Sequence, residues 1–362
     1  MTTNTSQPKK RIEYIDALRG MTMILVVFSH VEMSTFDFNT PTFVNDLFFS
    51  FRMPLFFFIS GFIAYKANIE WSKQTWWQMS RKKLLVQLIP TFIFGLIHAY
   101  AYQGVDFREF IINDHKLGYW FTIALLEIFL IVYTANTLLY SADHAKHKKR
   151  MLVALVFLSA VLYVLRFALK MVPSLNEVGN ILSLHRTANY FQYFAFGYIC
   201  SMYREIFTRT LDKKYTMAIV ITLFATLFYA KRFYISSHIG GSFDLWKIAE
   251  TLIETLIGYF GLLIVYNTFK TYESSFTSNT KVGAALQFIG KRTLDVYLLH
   301  YFLIPYLPQV GTILHDTHNA ALEITVGLLL SLIVVALCLV ISGILRTSPI
   351  LAKYLFGVSK RK

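Results

Sequence analysis

Ten runs of mostly apolar residues recur along the chain, separated by short polar segments. They fall at roughly 15–34, 44–65, 84–103, 119–140, 151–169, 187–203, 215–231, 248–269, 293–308 and 321–345. Each is near the ~20 residues that a helix needs to cross the hydrocarbon core of a bilayer. Lipid offers the backbone no hydrogen-bonding partner, so such runs cross as helices. The pattern predicts an all-α, polytopic membrane helix bundle of about ten transmembrane helices. It divides the chain into a tail at residues 1–14, a membrane domain over 15–345 and a basic tail over 346–362. No low-complexity tract, Pro/Gly/Ser linker or fixed-period repeat breaks this into further domains.

Lys and Arg placement orients the bundle. With the N-terminus inside, the inward segments hold 25 Lys and Arg and the outward ones 7. The inward set includes Arg11, Lys66, Arg81, Lys82, Lys83, Lys146, Lys148, Arg204, Lys281, Arg292, Arg346 and Lys353. The outward set is Arg108, Lys116, Lys170, Arg186, Lys231, Arg232 and Lys247. The positive-inside rule then puts both termini in the cytoplasm.

Composition agrees with lipid as solvent: of 362 residues, 55% are hydrophobic and 15% charged, against about 25% charged in soluble domains. The net charge of +14 is spread over helix ends, so it argues for orientation and not for nucleic acid as a partner. Cys200 and Cys338 each sit in an apolar run and form neither a disulfide framework nor a CxxC metal site. The polar, basic N-terminal stretch is followed by an apolar run without a small-residue cleavage site, which reads as a retained first helix.

Against that background the ionisable residues inside the runs carry the information, because they are expensive in hydrocarbon. The first run, IDALRGMTMILVVFSH, holds Asp16, Arg19 and His30. Eleven residues at 100° each bring Arg19 and His30 to within about 20° of one another, about 16 Å apart along the axis. One stripe thus carries a cation near the cytoplasmic mouth and an imidazole about half a bilayer deeper. That suits a donor with an anionic handle, held by Arg19, and a reactive end, served by His30 as general base. The plainer reading is that Arg19 pairs with Asp16 or reaches the interface, and that His30 bonds a neighbouring helix. Gly20 allows close approach of another backbone. Arg52, among phenylalanines two residues before Pro54, is a second buried charge, and Glu127 is the carboxylate expected to pair with it or with Arg19. Either residue is also a candidate for substrate contact. Arg166 lies near an outer end and can snorkel. Asp295 and His300 are about 140° apart on their helix, so they do not share a face.

Several segments together resemble the acyltransferase 3 family of bacterial integral-membrane acyltransferases. These are RIEYIDALRG, His30, FRMPLFFFISGF, the Trp120–Phe121 pair and TLDVYLLHYF, in order between about residue 11 and residue 308. The resemblance is closest to members that O-acylate cell-surface glycans. It implies roles in acyl transfer for His30 and in donor handling for Arg19. Substrate contacts would come from Arg52, Trp120 and His300, and phosphate contacts from Arg81, Lys82 and Lys83; the buried carboxylates Asp16 and Glu127 are further candidates for substrate contact by their position in the runs. Gln87 stands where the family has an inner arginine. The co-substrate implied is acyl-CoA, with acetyl-CoA the expected form and no metal. The acceptor is an extracytoplasmic glycan or lipid-linked sugar, and the location a bacterial cytoplasmic membrane. Two other classes compete: a secondary transporter or flippase using the same charges, and a glycan polymerase, which would need a large outer loop. No inverted repeat supports the first, and the outer loops near 104–118, 170–186 and 232–247 are modest.

Overall fold

The computed structural model describes residues 11–37, 42–235 and 245–357. Lys9, Lys10, Lys360, Arg361 and Lys362, parts of the expected basic tails, lie outside these. The main helices are α1 (Glu13–Ser34), α2 (Phe43–Ala64), α3 (Lys73–Gln103), α4 (Trp120–Leu138), α5 (His144–Met171) and α6 (Leu184–Met202). They continue as α7 (Lys214–Ala230), α8 (Leu245–Thr271), α9 (Lys281–Lys291), α10 (Thr293–Leu303) and α11 (Ala320–Leu345). No strand occurs among the described residues.

By length and apolarity, eight of these helices meet the requirement for crossing a membrane: α1 to α5, α7, α8 and α11. Helix α6 is 19 residues long but buries His185, Thr187 and Gln192 inside the bundle, which dilutes its apolarity. In the expected run at 293–308, the helix α10 takes up only 11 residues, and Pro308 already begins the next short helix, Pro308–Asp316. The chain nevertheless keeps pace with α1. At one end Arg19 Nη2 donates to Thr293 Oγ1 at 3.0 Å, and at the other the Leu307 N–H donates to the Thr35 carbonyl at 2.8 Å. About 16 Å of helix and about 13 Å of extended chain over Ile304–Leu307 cover roughly the ~30 Å of a hydrocarbon core. Thus α10 runs parallel to α1, as a first and a ninth span must.

Small residues set the closest helix crossings, as in other membrane bundles. Helix α1 packs on α9, and α2 on α6. A Cβ added at Gly20 would lie 2.0 Å from the Leu286 carbonyl oxygen, and one at Gly290 1.8 Å from that of Asp16. The backbones touch there, so any side chain would force them apart. Within α3, Pro90 supplies no N–H for the turn below it. Residues Leu84–Leu88 widen into a π-helical turn, which turns Gln87 inward, where it is buried. Part of the expected C-terminal tail is a helix, Pro349–Phe356, that buries Phe356 against Phe94 at 6.2 Å between ring centres.

Candidate active site

A cavity of about 350 Å³ opens between α1, α2, α3, α4 and α10. Arg19, Lys66 and Lys83 bring positive charge to its wall, Met23, Val26, Phe56 and Phe121 line its apolar depth, and Gln87, Thr122 and Tyr297 add polar groups. No carboxylate lines it. Lys83 Nζ sits 3.5 Å from the centre of the Phe129 ring. Arg81 and Lys82 are exposed and are not part of this wall. Arg19 approaches Asp16 at 3.9 Å, while Asp16 makes its closer ion pair with Arg11 at 2.6 Å. The Arg19 guanidinium is therefore shared between Thr293 and the cavity rather than neutralised by Asp16.

The stripe of α1 continues past the end of this cavity. Val26 and Tyr297 are on its wall; His30 and Tyr301, each one turn further along their helices, are not. His30 Nε2 shares a 3.2 Å hydrogen bond with the Tyr301 hydroxyl, and its ring centre is 5.2 Å from that of His300. His300 is fully buried; its Nδ1 lies 3.1 Å from the Val296 carbonyl and its Nε2 has no partner. His98 of α3 joins from the far side, 5.5 Å from the Tyr301 ring, with its Nδ1 unpaired. Three imidazoles and the hydroxyls of Tyr119, Tyr297 and Tyr301 thus form one cluster, in which His98, His300, Tyr119 and Tyr297 are buried and His30 and Tyr301 half-buried.

Arg52 stands beside it. The side chain is buried, its guanidinium lies 4.6 Å from the Phe49 ring centre, and Nε and Nη1 have no hydrogen-bond partner. No carboxylate forms an ion pair with Arg52 among the described residues. The expected pairing with Glu127 is not made: Glu127 instead accepts a 2.5 Å hydrogen bond from the Thr187 hydroxyl. Nor does Glu127 reach Arg19. An unpaired buried guanidinium is costly, so Arg52 is chemically able to take an anion.

Trp120 stacks on Tyr190 at 5.3 Å, and Tyr190 on Phe57 at 4.7 Å and 8°. Tyr190 also faces a cavity of about 110 Å³ near the start of α2, lined by Asp46, Arg166, Asn189 and Glu254 among others. Arg166 is hydrogen-bonded to Asn189 and lines this cavity. Helix α2 begins on the side opposite the Lys66 and Lys83 mouth, so the two cavities approach the cluster from opposite ends.

The turn that precedes α4 clamps the cluster. Lys116 is fully buried and donates from Nζ to the carbonyls of Ile111 (2.6 Å), Asn113 (2.8 Å) and Asn180 (2.5 Å). Burial pushes its pKa down to about 8. The Tyr297 hydroxyl donates to the Gly118 carbonyl at 2.8 Å, and a Cβ at Gly118 would lie 2.1 Å from the Tyr301 hydroxyl. With φ at +99°, only glycine fits there.

Tyr301, His98 and Lys116 escaped the sequence reading. Tyr301 directly follows His300, and His98 lies within an apolar run, so both carried the signal of polar groups in hydrocarbon. Nothing local marked Lys116 as buried.

The fold and this cluster together define an integral-membrane helical bundle with imidazole and guanidinium groups held in its core. The chain belongs to the acyltransferase 3 family: the profile described as an acyltransferase domain matches residues 12–343. It is similar along its length to glucans biosynthesis protein C of Escherichia coli O139:H28, at 24% identity over 97% of this chain and 95% of that protein. The protein of the same name from Salmonella paratyphi B is 21% identical over 98% and 96%. A 92-residue stretch is 27% identical to that of E. coli SMS-3-5, covering 23% of this chain and 24% of that protein. No solved structure matches.

Proposed function

We propose that the protein transfers an acyl group, in its simplest form acetyl, from cytoplasmic acyl-CoA to a hydroxyl of an extracytoplasmic glycan or lipid-linked sugar. The single observation that carries this reading is the placement of Arg19 and His30. The guanidinium stands in the wall of a cationic cavity free of carboxylates, and the imidazole lies one turn beyond the cavity's end. The name of the relatives, glucans biosynthesis protein C, favours a glycan acceptor. Both termini are assigned to the cytoplasm on the Lys and Arg distribution.

In this mechanism the pantetheine arm extends up the α1 stripe from Arg19 toward Val26. The thioester passes Tyr297 and Phe121, which close the end of the cavity. The acceptor hydroxyl enters from the side of Tyr190 and Arg166. When His30 Nε2 donates to Tyr301, its Nδ1 keeps a lone pair and takes the acceptor's proton. The alkoxide oxygen attacks the thioester carbonyl, and the unpaired Arg52 stabilises the resulting oxyanion. Collapse breaks the C–S bond, and the proton on His30 passes to the departing CoA thiolate. Asp16 orients Arg19 by a long-range attraction at 3.9 Å, and Trp120 forms an apolar wall with Phe57 and Tyr190. His300 packs behind His30, and Glu127 lies on the same helix as Trp120 as a polar contact for the acceptor. The test is glycan acylation by cells carrying His30→Ala: acylation is abolished while the protein still inserts and is recovered from membranes. Undiminished acylation removes the catalytic role of His30.

A further inference from the structure

A second cavity, of about 170 Å³, lies beside the cationic mouth of the first and is built from the chain after α2 and the link between α4 and α5. Its lining includes Lys66, Lys148, His144 and His147 together with Trp71 and Tyr140, and it contains no carboxylate. The two cavities meet at shared residues. Lys66 lines both, and Trp71 of the second packs its ring 5.5 Å from Tyr133 of the first. Tyr140 stands 5.8 Å from the His147 ring, so an aromatic surface adjoins the basic groups. His147 Nδ1 lies 3.3 Å from the Leu139 carbonyl, which holds the imidazole at the wall.

From these contacts we infer that the second cavity is the subsite for the nucleotide end of the acyl donor, a 3′-phosphorylated adenosine diphosphate, with Lys66 the cation shared between nucleotide and pantetheine. This rests on the acyl-CoA reading above and gives that donor an address. The chemistry fits each part. Phosphates need cations free of competing carboxylates, and a purine needs flat aromatic surface to stack on. A phosphate at Lys66 also stands where the arm can turn directly into the Arg19 and Lys83 cavity. Arg81 and Lys82, exposed and outside the wall of that cavity, then serve orientation in the bilayer and not the donor.

The test is equilibrium binding to the full-length protein in nanodiscs, with CoA, 3′,5′-ADP and S-acetyl-pantetheine as probes. For the wild type, 3′,5′-ADP displaces CoA. In Lys148→Ala and in the Lys66→Ala, Lys148→Ala double variant, CoA affinity falls by about tenfold or more, as expected for the loss of charge-assisted phosphate contacts. Binding of S-acetyl-pantetheine is unchanged in Lys148→Ala. The subsite is overturned if CoA binds the wild type but 3′,5′-ADP does not compete, or if the variants bind CoA as tightly as the wild type. It is also overturned if Lys148→Ala weakens S-acetyl-pantetheine as much as CoA. A wild type that binds no CoA at all overturns the acyl-CoA reading itself, which separates the two failures.

Discussion

The Tyr301 hydroxyl lies 3.2 Å from His30 Nε2, a hydrogen bond spanning 271 positions of sequence. It joins α10 to α1 at the depth where the proposed reaction occurs, and it decides which ring nitrogen of His30 is free. A ring held this way keeps one orientation, and because the hydroxyl can donate or accept, the bond serves His30 in either tautomer. Tyr301 therefore acts on the reaction through His30.

Tyr301→Phe removes the hydroxyl and keeps the ring packing. Its kcat for acyl transfer should fall by about 10- to 100-fold, with KM for acyl-CoA unchanged, because the donor's anionic end lies elsewhere. The kcat-versus-pH profile should move as well, since the imidazole loses its partner. A variant with wild-type kcat and pH profile would mean that the hydrogen bond is incidental.

Arg52→Met should separate catalysis from stability. Removing an oxyanion-stabilising donor costs on the order of 10²–10³ in kcat. Removing a buried cation that has no carboxylate partner should leave the folded state as stable or more so. Turnover and thermal melting of the detergent-solubilised variant should thus move in opposite directions. A drop in both would indicate an ion pair that maintains the bundle.

Gly118→Ala places a methyl group against the Tyr301 hydroxyl in a left-handed turn. Strain of this kind costs on the order of 1–3 kcal/mol, and it displaces Tyr301 from His30. We expect a lower melting temperature together with a kcat loss approaching that of Tyr301→Phe. Unchanged activity in Gly118→Ala would show that the turn before α4 does not govern the histidine.

The loop between α3 and α4 also predicts a pH effect. His115 packs on Arg186, which in turn pairs with Asp114 at 2.9 Å. Burial, and secondarily the charge of Arg186, hold the His115 pKa below its ordinary 6.5. The unfolded chain therefore binds the proton more readily than the folded one, so stability rises with pH across the interval below 6.5 and is flat above it. Melting temperatures taken from pH 7.5 down to 5.5 should fall below pH 6.5 in the wild type. That decline should be smaller in His115→Gln. Parallel curves for the two proteins would assign the acid sensitivity to other groups.

Much of this was readable from local pattern. The apolar runs anticipate α1, α2, α4, α6 to α8 and α11 closely but miss the polar first turns of α3 and α5, and helical phase alone puts Arg19 and His30 on one stripe. The partners of the buried charges were not readable. Glu127 and Arg52 looked like a pair because each needed one, yet Glu127 found Thr187 and Arg52 found none. The shortness of α10 was also hidden, since an apolar run reads alike whether its last residues are helical or extended.

What the sequence by itself determined is the solvent and the stripe: a lipid-embedded all-α bundle, its charge asymmetry, and a guanidinium and imidazole sharing one helix face. These follow from hydropathy and from a repeat of 3.6 residues, both local properties of the chain. Only the tertiary structure decided that the cavity stops at Val26, that Tyr301 meets both His30 and His98, and that Lys66 stands between two cavities. Those depend on which helices cross and how closely. The crossings at Gly20 and Gly290 are set by backbone contact between residues about 270 positions apart, which no local pattern encodes.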